Sequence, residues 1–402
     1  MVRPIVQARR CPPETPDSRV RAILFEMLDG LDGLAPTISS KRRIAIKSNL
    51  GILDVRWHKS RAVALADAVV VEAVVAWLRA HSDANIVVGD ASTGVACREV
   101  ADAIGLTERL TPHHAQIVDY KDEPYTTFRV PGGGIMFDEY VMTEEMAKAD
   151  AIVSIAKMKS HLAAGVTLTM KNLFGIPPTS VYGSPRRYLH AAIRLPRVLA
   201  DLGLILRPCL NVIDGIVGQA KQEWHGPAVE SGWLVAGDNT VATDAVGMAL
   251  MGVRPDGDYP DSPFHFDRNP VKLASERGLG PLSLDEIDLR GDRLVVADGF
   301  FADRHMEPAL LDAIRYSVSE QSALFRSERN RFVDEFANQF IGLYDGDIVY
   351  TGTDLDHLKS RGQLARERGR KDKGLYLKYV VPPERDSERF EVYDALLNGA
   401  RA

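Results

Sequence analysis

The side chains of this chain best suited to chemistry crowd into one stretch, Lys157-Met-Lys-Ser-His-Leu-Ala-Ala-Gly-Val-Thr-Leu-Thr-Met-Lys-Asn-Leu-Phe-Gly175. Ammonium groups and an imidazole gathered this closely suit the binding of a carboxylate or phosphate and the exchange of a proton with it. Singly, each lysine reads as solvated and the histidine as a satisfied turn residue; Lys157, Lys159, His161 and Lys171 together favour a site. His161 and Lys171 are the predicted catalytic pair, because a pocket holding several cations pulls an imidazole or amine pKa towards neutrality. Lys47, Asn49, Asp90, Lys157, Lys159, Asn172 and Arg186 are the predicted substrate contacts. Arg186 or Arg187, in a loop rich in glycine and proline, is placed to close on an anion as a lid would.

Two bases flanking one carbon suit racemisation, epimerisation, isomerisation or elimination. Without an organic cofactor, the acidity of that carbon comes from the substrate or from a divalent metal acting as Lewis acid. His190, Asp214, Glu223 and His225 are the candidate metal ligands, with Glu223 and His225 two residues apart on an extended loop. Asp244, within a mostly apolar helix, reads first as a structural partner and second as a functional acid.

The elements that must position these groups follow from periodicity. Helices are expected over 16–30, 61–80 and 96–105, and strands over 43–47, 85–89, 116–119, 151–156 and 210–214. Short apolar strands alternating with longer helices imply βαβ units: an α/β fold in three layers with a mostly parallel sheet over residues 1–295. Lys47, Asp90, Lys157 and Asp214 all follow strand ends, the edge where such sheets bind ligands. Gly132-Gly-Gly134 follows Pro131 and lacks a phosphate-loop ending, so it reads as a hairpin turn. A helical connector is expected over 296–335 and a small α+β appendage over 336–385, where Asp345-Gly346 between two apolar runs signals a hairpin.

The central stretch resembles the DUF362 family in its Lys-x-Lys-Ser-His, Gly-Val-Thr-Leu and Lys-Asn-Leu-Phe-Gly blocks. Lys47-Ser-Asn-Leu-Gly51, Val88-Gly-Asp-Ala-Ser92, Asn211-Val-Ile-Asp-Gly-Ile-Val-Gly218 and Gly237-Asp-Asn-Thr-Val-Ala-Thr-Asp244 extend the likeness over roughly residues 40–295. It implies a family and no activity. The spacing of His161 and Lys171 is also similar to that of nickel-pincer lactate racemases, with His190 downstream slightly further along than their pattern, and this implies a cofactor carried on the lysine and a nickel-binding histidine. The racemases' glycine-rich run is replaced here by Val166-Thr-Leu-Thr-Met170. Residues 339–381 resemble the DUF5678 module, which implies a strand, an Asp-Gly turn, a second strand and a helix.

Composition narrows the function classes. With 49 Lys and Arg against 55 Asp and Glu, the net charge of −6 supplies no global field for nucleic acid, so an anion site must be local. Cys11, Cys97 and Cys209 are widely spaced, which argues against the iron–sulfur insertion that some relatives carry and fits a reducing cytoplasm. No apolar run is long enough to span a bilayer, and the N-terminus lacks a signal-type apolar core. The favoured reading is an enzyme acting on a small anionic metabolite by proton transfer, with or without a metal. A non-catalytic binding protein for an anionic ligand comes second and a redox protein third. The substrate is open, and so is assembly as a homo-oligomer.

Overall fold

Alternating side chains of the central strands sort into two apolar layers. Ile44, Ile46, Ile86, Val88, Val153, Ile155, Val212 and Leu234 pack on one face, against helices Asp17–Asp29, Ala68–His81 and Cys97–Ala103. Ala45, Val87, Ile213 and Val235 face the other way, onto helices Arg194–Leu206, Thr240–Leu250 and Pro270–Glu276. Period-two burial on both faces is what a sheet covered by helices requires. The computed structural model describes residues 3–301 and 307–399; residues 302–306 of the expected connector and the first two residues of the N-terminus lie outside this range.

The sheet runs in the order Asp288–Gly291, Ile5–Arg10, Trp233–Gly237, Leu210–Gln219, Ala151–His161, Arg43–Ser48, Asn85–Asp90, Gln116–Asp119. Every neighbouring pair is parallel except the two that involve Trp233–Gly237, so that strand alone in this series is reversed. Three expected boundaries move, one of them that of the strand expected over 210–214, which runs on to Gln219 and holds Asp214 mid-strand. The helix expected from 61 begins at Ala68, because Asp67 accepts the Val69 N–H as N-cap and the preceding Arg61–Ala62 pairs with Trp57–His58. The strand expected to end at Ala156 runs on to His161 and folds back through Gly165–Thr167, so Lys157, Lys159 and His161 lie on strand, not in a loop.

The C-terminal part follows helices Pro308–Ser327 and Arg329–Phe336 with an antiparallel sheet ordered Asp347–Gly352, Phe340–Tyr344, Leu375–Tyr379. Tyr344 pairs with Asp347 across a two-residue turn in which Asp345 (φ 53°) and Gly346 (φ 87°) are both left-handed, the geometry that Asp-Gly favours. This module shares the apolar layer of the 194–206 helix, with Ile341, Leu343, Tyr376 and Tyr393 buried in it. A charged clamp fastens the two parts: Arg194 Nη2 donates to Glu388 Oε1 at 2.5 Å and Lys378 Nζ to Glu388 Oε2 at 2.8 Å, all three side chains buried.

Candidate functional site

At the carboxyl edge of the parallel strands opens a cavity of about 500 Å³. Lys47, Lys159, Lys171, Arg186, Arg187 and Arg361 line it against two carboxylates, Asp90 and Glu223, so its balance of charge favours an anion. Part of the boundary is a sealed ion pair. Lys47 Nζ donates to Asp90 Oδ2, to Asn172 Oδ1 (both 2.9 Å) and to the Ser48 carbonyl (2.6 Å). Those three bonds use all three donors of an ammonium; Lys47 therefore positions Asp90 and Asn172 and has no proton left for a ligand. Burial lowers its pKa, with Asp90 opposing. Gly175 closes over the pair so tightly that a Cβ there would stand 2.3 Å from Asp90 Oδ1 and 2.4 Å from Lys47 Cε. Asn49, from the same loop, also lines the cavity.

Lys171 differs. It sits in the short helix Thr169–Asn172, whose first N–H groups, Thr169 and Met170, donate to the buried Asp244. Asp244 is thus a helix cap and holds Lys171 in place from below, its own pKa raised by burial to about 6. The Lys171 ammonium lies over the Phe174 ring at 4.6 Å, and among the described residues no carboxylate or carbonyl pairs with it. Burial, offset in part by Glu223 and reinforced by Arg186 and Lys47, brings its pKa down to about 8.

His161 occupies the end of its strand with Nδ1 accepting two backbone N–H groups, from Ala163 and Ala164, each at 3.1 Å. An Nδ1 so engaged as acceptor fixes the neutral ring with its proton on Nε2. Burial, Lys171 and His190 hold its pKa well below the usual histidine value. His161 is therefore a hydrogen-bond donor through Nε2–H and not a proton acceptor, which revises the expectation of an acid–base pair with Lys171. The His190 ring lies 5.8 Å away, centroid to centroid, also neutral, its pKa pushed down to about 4 by burial and by Lys171.

Lys159 is buried in the wall, donates to the Ala64 carbonyl at 2.7 Å and sits 5.5 Å from the Trp224 ring. Burial, Lys171 and Lys157 lower its pKa to about 7. Arg186 is a fixed strut and not the lid that the sequence suggested: its Nε donates to Pro177 O and its Nη2 to Ala91 O and Gly175 O. Three expected site residues stand elsewhere. Lys157 and Asp214, 2.9 Å apart and both fully buried, neutralise one another beneath the 61–67 segment, where Asp214 also accepts the Asp67 N–H. His225 is exposed, 3.5 Å from Asp54. Of the four expected metal ligands only His190 and Glu223 reach the cavity, and among the described residues no three His, Cys, Asp or Glu side chains gather as a metal would need.

The sequence reading missed Trp224, Arg361 and the leucines Leu358, Leu375 and Leu377. Only Trp224 carried a signal, as neighbour to Glu223 in the loop already singled out.

The model of a family described as a domain of unknown function, DUF362, matches residues 44–249. The chain belongs to the DUF362 family. The DUF362 segment contains Lys47, Asp90, Lys159, His161, Lys171 and His190, while the cavity's outer leucines lie beyond it. Among curated proteins, the chain is similar to the thylakoid-associated protein sll1697 of Synechocystis sp., 24% identical over 333 residues that cover 81% of this chain and 94% of that one. Among solved structures, a protein from Thermotoga maritima aligns over 54% of both chains with TM-score 0.34 and 10% identity. The lactate racemase apoprotein from Thermoanaerobacterium thermosaccharolyticum aligns over 54% of this chain and 50% of its own with TM-score 0.31 and 12% identity. The chain spans about half the length of these two structures. Among the described residues no helix is long and apolar enough to cross a membrane.

Proposed function

We propose that this DUF362 protein binds an anionic metabolite in the cavity and moves a proton on it, in a reaction of the racemase, isomerase or lyase type. The observation that carries the reading is Lys171: an amine lining a cation-rich cavity, without an ion-pair partner among the described residues, with a pKa of about 8. In its free form Lys171 is the base. His161 faces it as a neutral donor, and Nε2–H suits an oxygen that gains charge as the proton leaves. Lys159 adds charge to the anion's seat.

Incubating the protein with candidate acids in heavy water and following loss of the α-proton signal by NMR tests the reading. Exchange that vanishes in Lys171→Met supports it. Sulfate binding without exchange on any candidate acid would favour the second reading, a binding protein that uses the same cations.

The spacing shared with the pincer racemases supports a variant of this reading. Lys171 would carry the group through its amine, and the neutral His190 imidazole would offer a nitrogen to the metal. Both line the cavity. Such a group supplies an electrophile when bound. An intact-mass increment on Lys171 in protein from its own host tests that variant. In the same reading the C-terminal sheet is a DUF5678-like module.

A further inference from the structure

The strand Leu375–Tyr379 divides its side chains between two tasks. Leu375 and Leu377 line the cavity. Tyr376 and Lys378, on the opposite face by the two-residue period, turn to the clamp, where Lys378 donates to Glu388 at 2.8 Å and the Tyr376 hydroxyl donates to the same oxygen at 3.3 Å. Leu358 joins the leucines from a loop held down by Arg187, which donates to the Leu355 and Leu358 carbonyls at 2.9 and 2.7 Å. Gly342 brings two of them together: a Cβ on it would lie 3.5 Å from a methyl of Leu358 and 3.5 Å from a methyl of Leu375. The C-terminal module, outside residues 44–249, therefore gives the cavity three leucines beside Ser360 and Arg361, while its ammonium and imidazole groups come from the α/β part.

Size points the same way. A three-carbon acid of about six heavy atoms, at about 30 Å³ each on the generous scale of liquid water, fills no more than about 180 Å³. The cavity of about 500 Å³ falls instead among clefts of roughly 300–1,000 Å³ that enclose larger ligands against apolar walls.

We infer that the ligand is an amphiphilic acid, with an anionic head for Lys159 and the ammonium form of Lys171 and a hydrocarbon or aryl body laid against Leu358, Leu375 and Leu377. The C-terminal module is then the specificity element of the site. This rests on the anion-binding reading above and adds the ligand's second half.

The test is calorimetric titration of the full chain with sulfate and with straight-chain monocarboxylates from acetate to octanoate. Affinity should rise about fourfold per added methylene as each is buried, and the rise should flatten in Leu375→Gln and Leu358→Gln, with circular dichroism and melting curves reporting their fold. Sulfate binding combined with equal affinity for acetate and octanoate overturns the inference and leaves the anion reading standing. A chain-length dependence unchanged in both variants also overturns it, because the hydrocarbon then lies elsewhere. Binding of neither sulfate nor any carboxylate removes the anion reading beneath it.

Discussion

Lys47 Nζ stands 2.9 Å from Asp90 Oδ2, and neither side chain is more than 2% exposed. Removing one member of such a pair strands the other charge in the interior, so Lys47→Met and Asp90→Asn should each lower unfolding stability by about 3–5 kcal/mol. Gly175→Ala, which drives a methyl into both groups, should cost about 1–3 kcal/mol. Denaturant unfolding measures all three. Losses below about 1 kcal/mol for the two charge variants would mean that solvent reaches this pair.

The ring of His161 should stay neutral with its proton on Nε2 through the region around pH 6.5 where an ordinary histidine takes up a proton, as read from the ¹⁵N shifts of a histidine-labelled sample. A proton on Nδ1 would break both bonds from Ala163 and Ala164 and would return the residue to the role of base. His161→Ala leaves those two N–H groups without an acceptor, which should cost about 1–3 kcal/mol. His161 is only 6% exposed, so water does not take over those two bonds.

Sulfate affinity should fall as pH rises from 6.5 to 9. The amines of Lys159 and Lys171, near 7 and 8, lose through that window the protons that hold the anion, and sulfate does not titrate there. Binding at pH 8 should take up protons, visible as a heat that depends on the buffer's ionisation enthalpy. In Lys171→Met this uptake should shrink. Uptake of equal size in the variant would assign it to another group.

His190 makes stability depend on pH with a definite sign. Its folded pKa of about 4 lies below the ordinary histidine value of 6.5, so the unfolded chain binds the proton more readily than the folded one. The stabilising difference is fully present above pH 6.5 and is lost as pH falls towards 4. Buried Asp201 and Asp244, both raised to about 6, act in the opposite sense, so the informative quantity is wild type minus His190→Gln. That difference should shrink between pH 6.5 and 4, and a flat difference would show His190 titrating normally when folded.

Glu388 ties the C-terminal sheet to the helix Arg194–Leu206. Burial would raise its pKa, yet Arg194 and Lys378 hold it at about 2, so it stays charged at any working pH. Glu388→Gln should accelerate amide hydrogen exchange across 340–379 relative to the central sheet. Unchanged exchange there would mean that apolar packing alone secures the module.

Much of this architecture is legible in the chain because local signals agreed with distant ones. The apolar runs 43–47 and 85–89 are strands because both faces are covered, 116–119 pairs with the second of them at the half-buried edge of the sheet, and Asp345-Gly346 turns as its residue types demand. What escaped reading was decided by partners far along the chain. Lys157-Met-Lys-Ser-His161 looks like a polar loop, but Asp214 neutralises the first lysine and the Ala64 carbonyl receives the second, which lets the strand continue. Lys47 looks available to a ligand until Asp90 and Asn172 are seen to occupy its ammonium. The leucines of the outer wall have no spacing relation to the basic cluster, so no pattern in the sequence connects them.

The double use of Leu375–Tyr379 makes the strand sensitive to deletion in a way it is not to substitution. Losing one residue between Gly374 and Leu377 would exchange the two faces: a lysine would be driven into the leucine wall and a leucine offered to Glu388. Conservative replacements at single positions leave that partition intact. Viable variants of this protein should accordingly vary in residue type along 375–379 while keeping its length, with insertions and deletions collecting instead around the turn at 370–373.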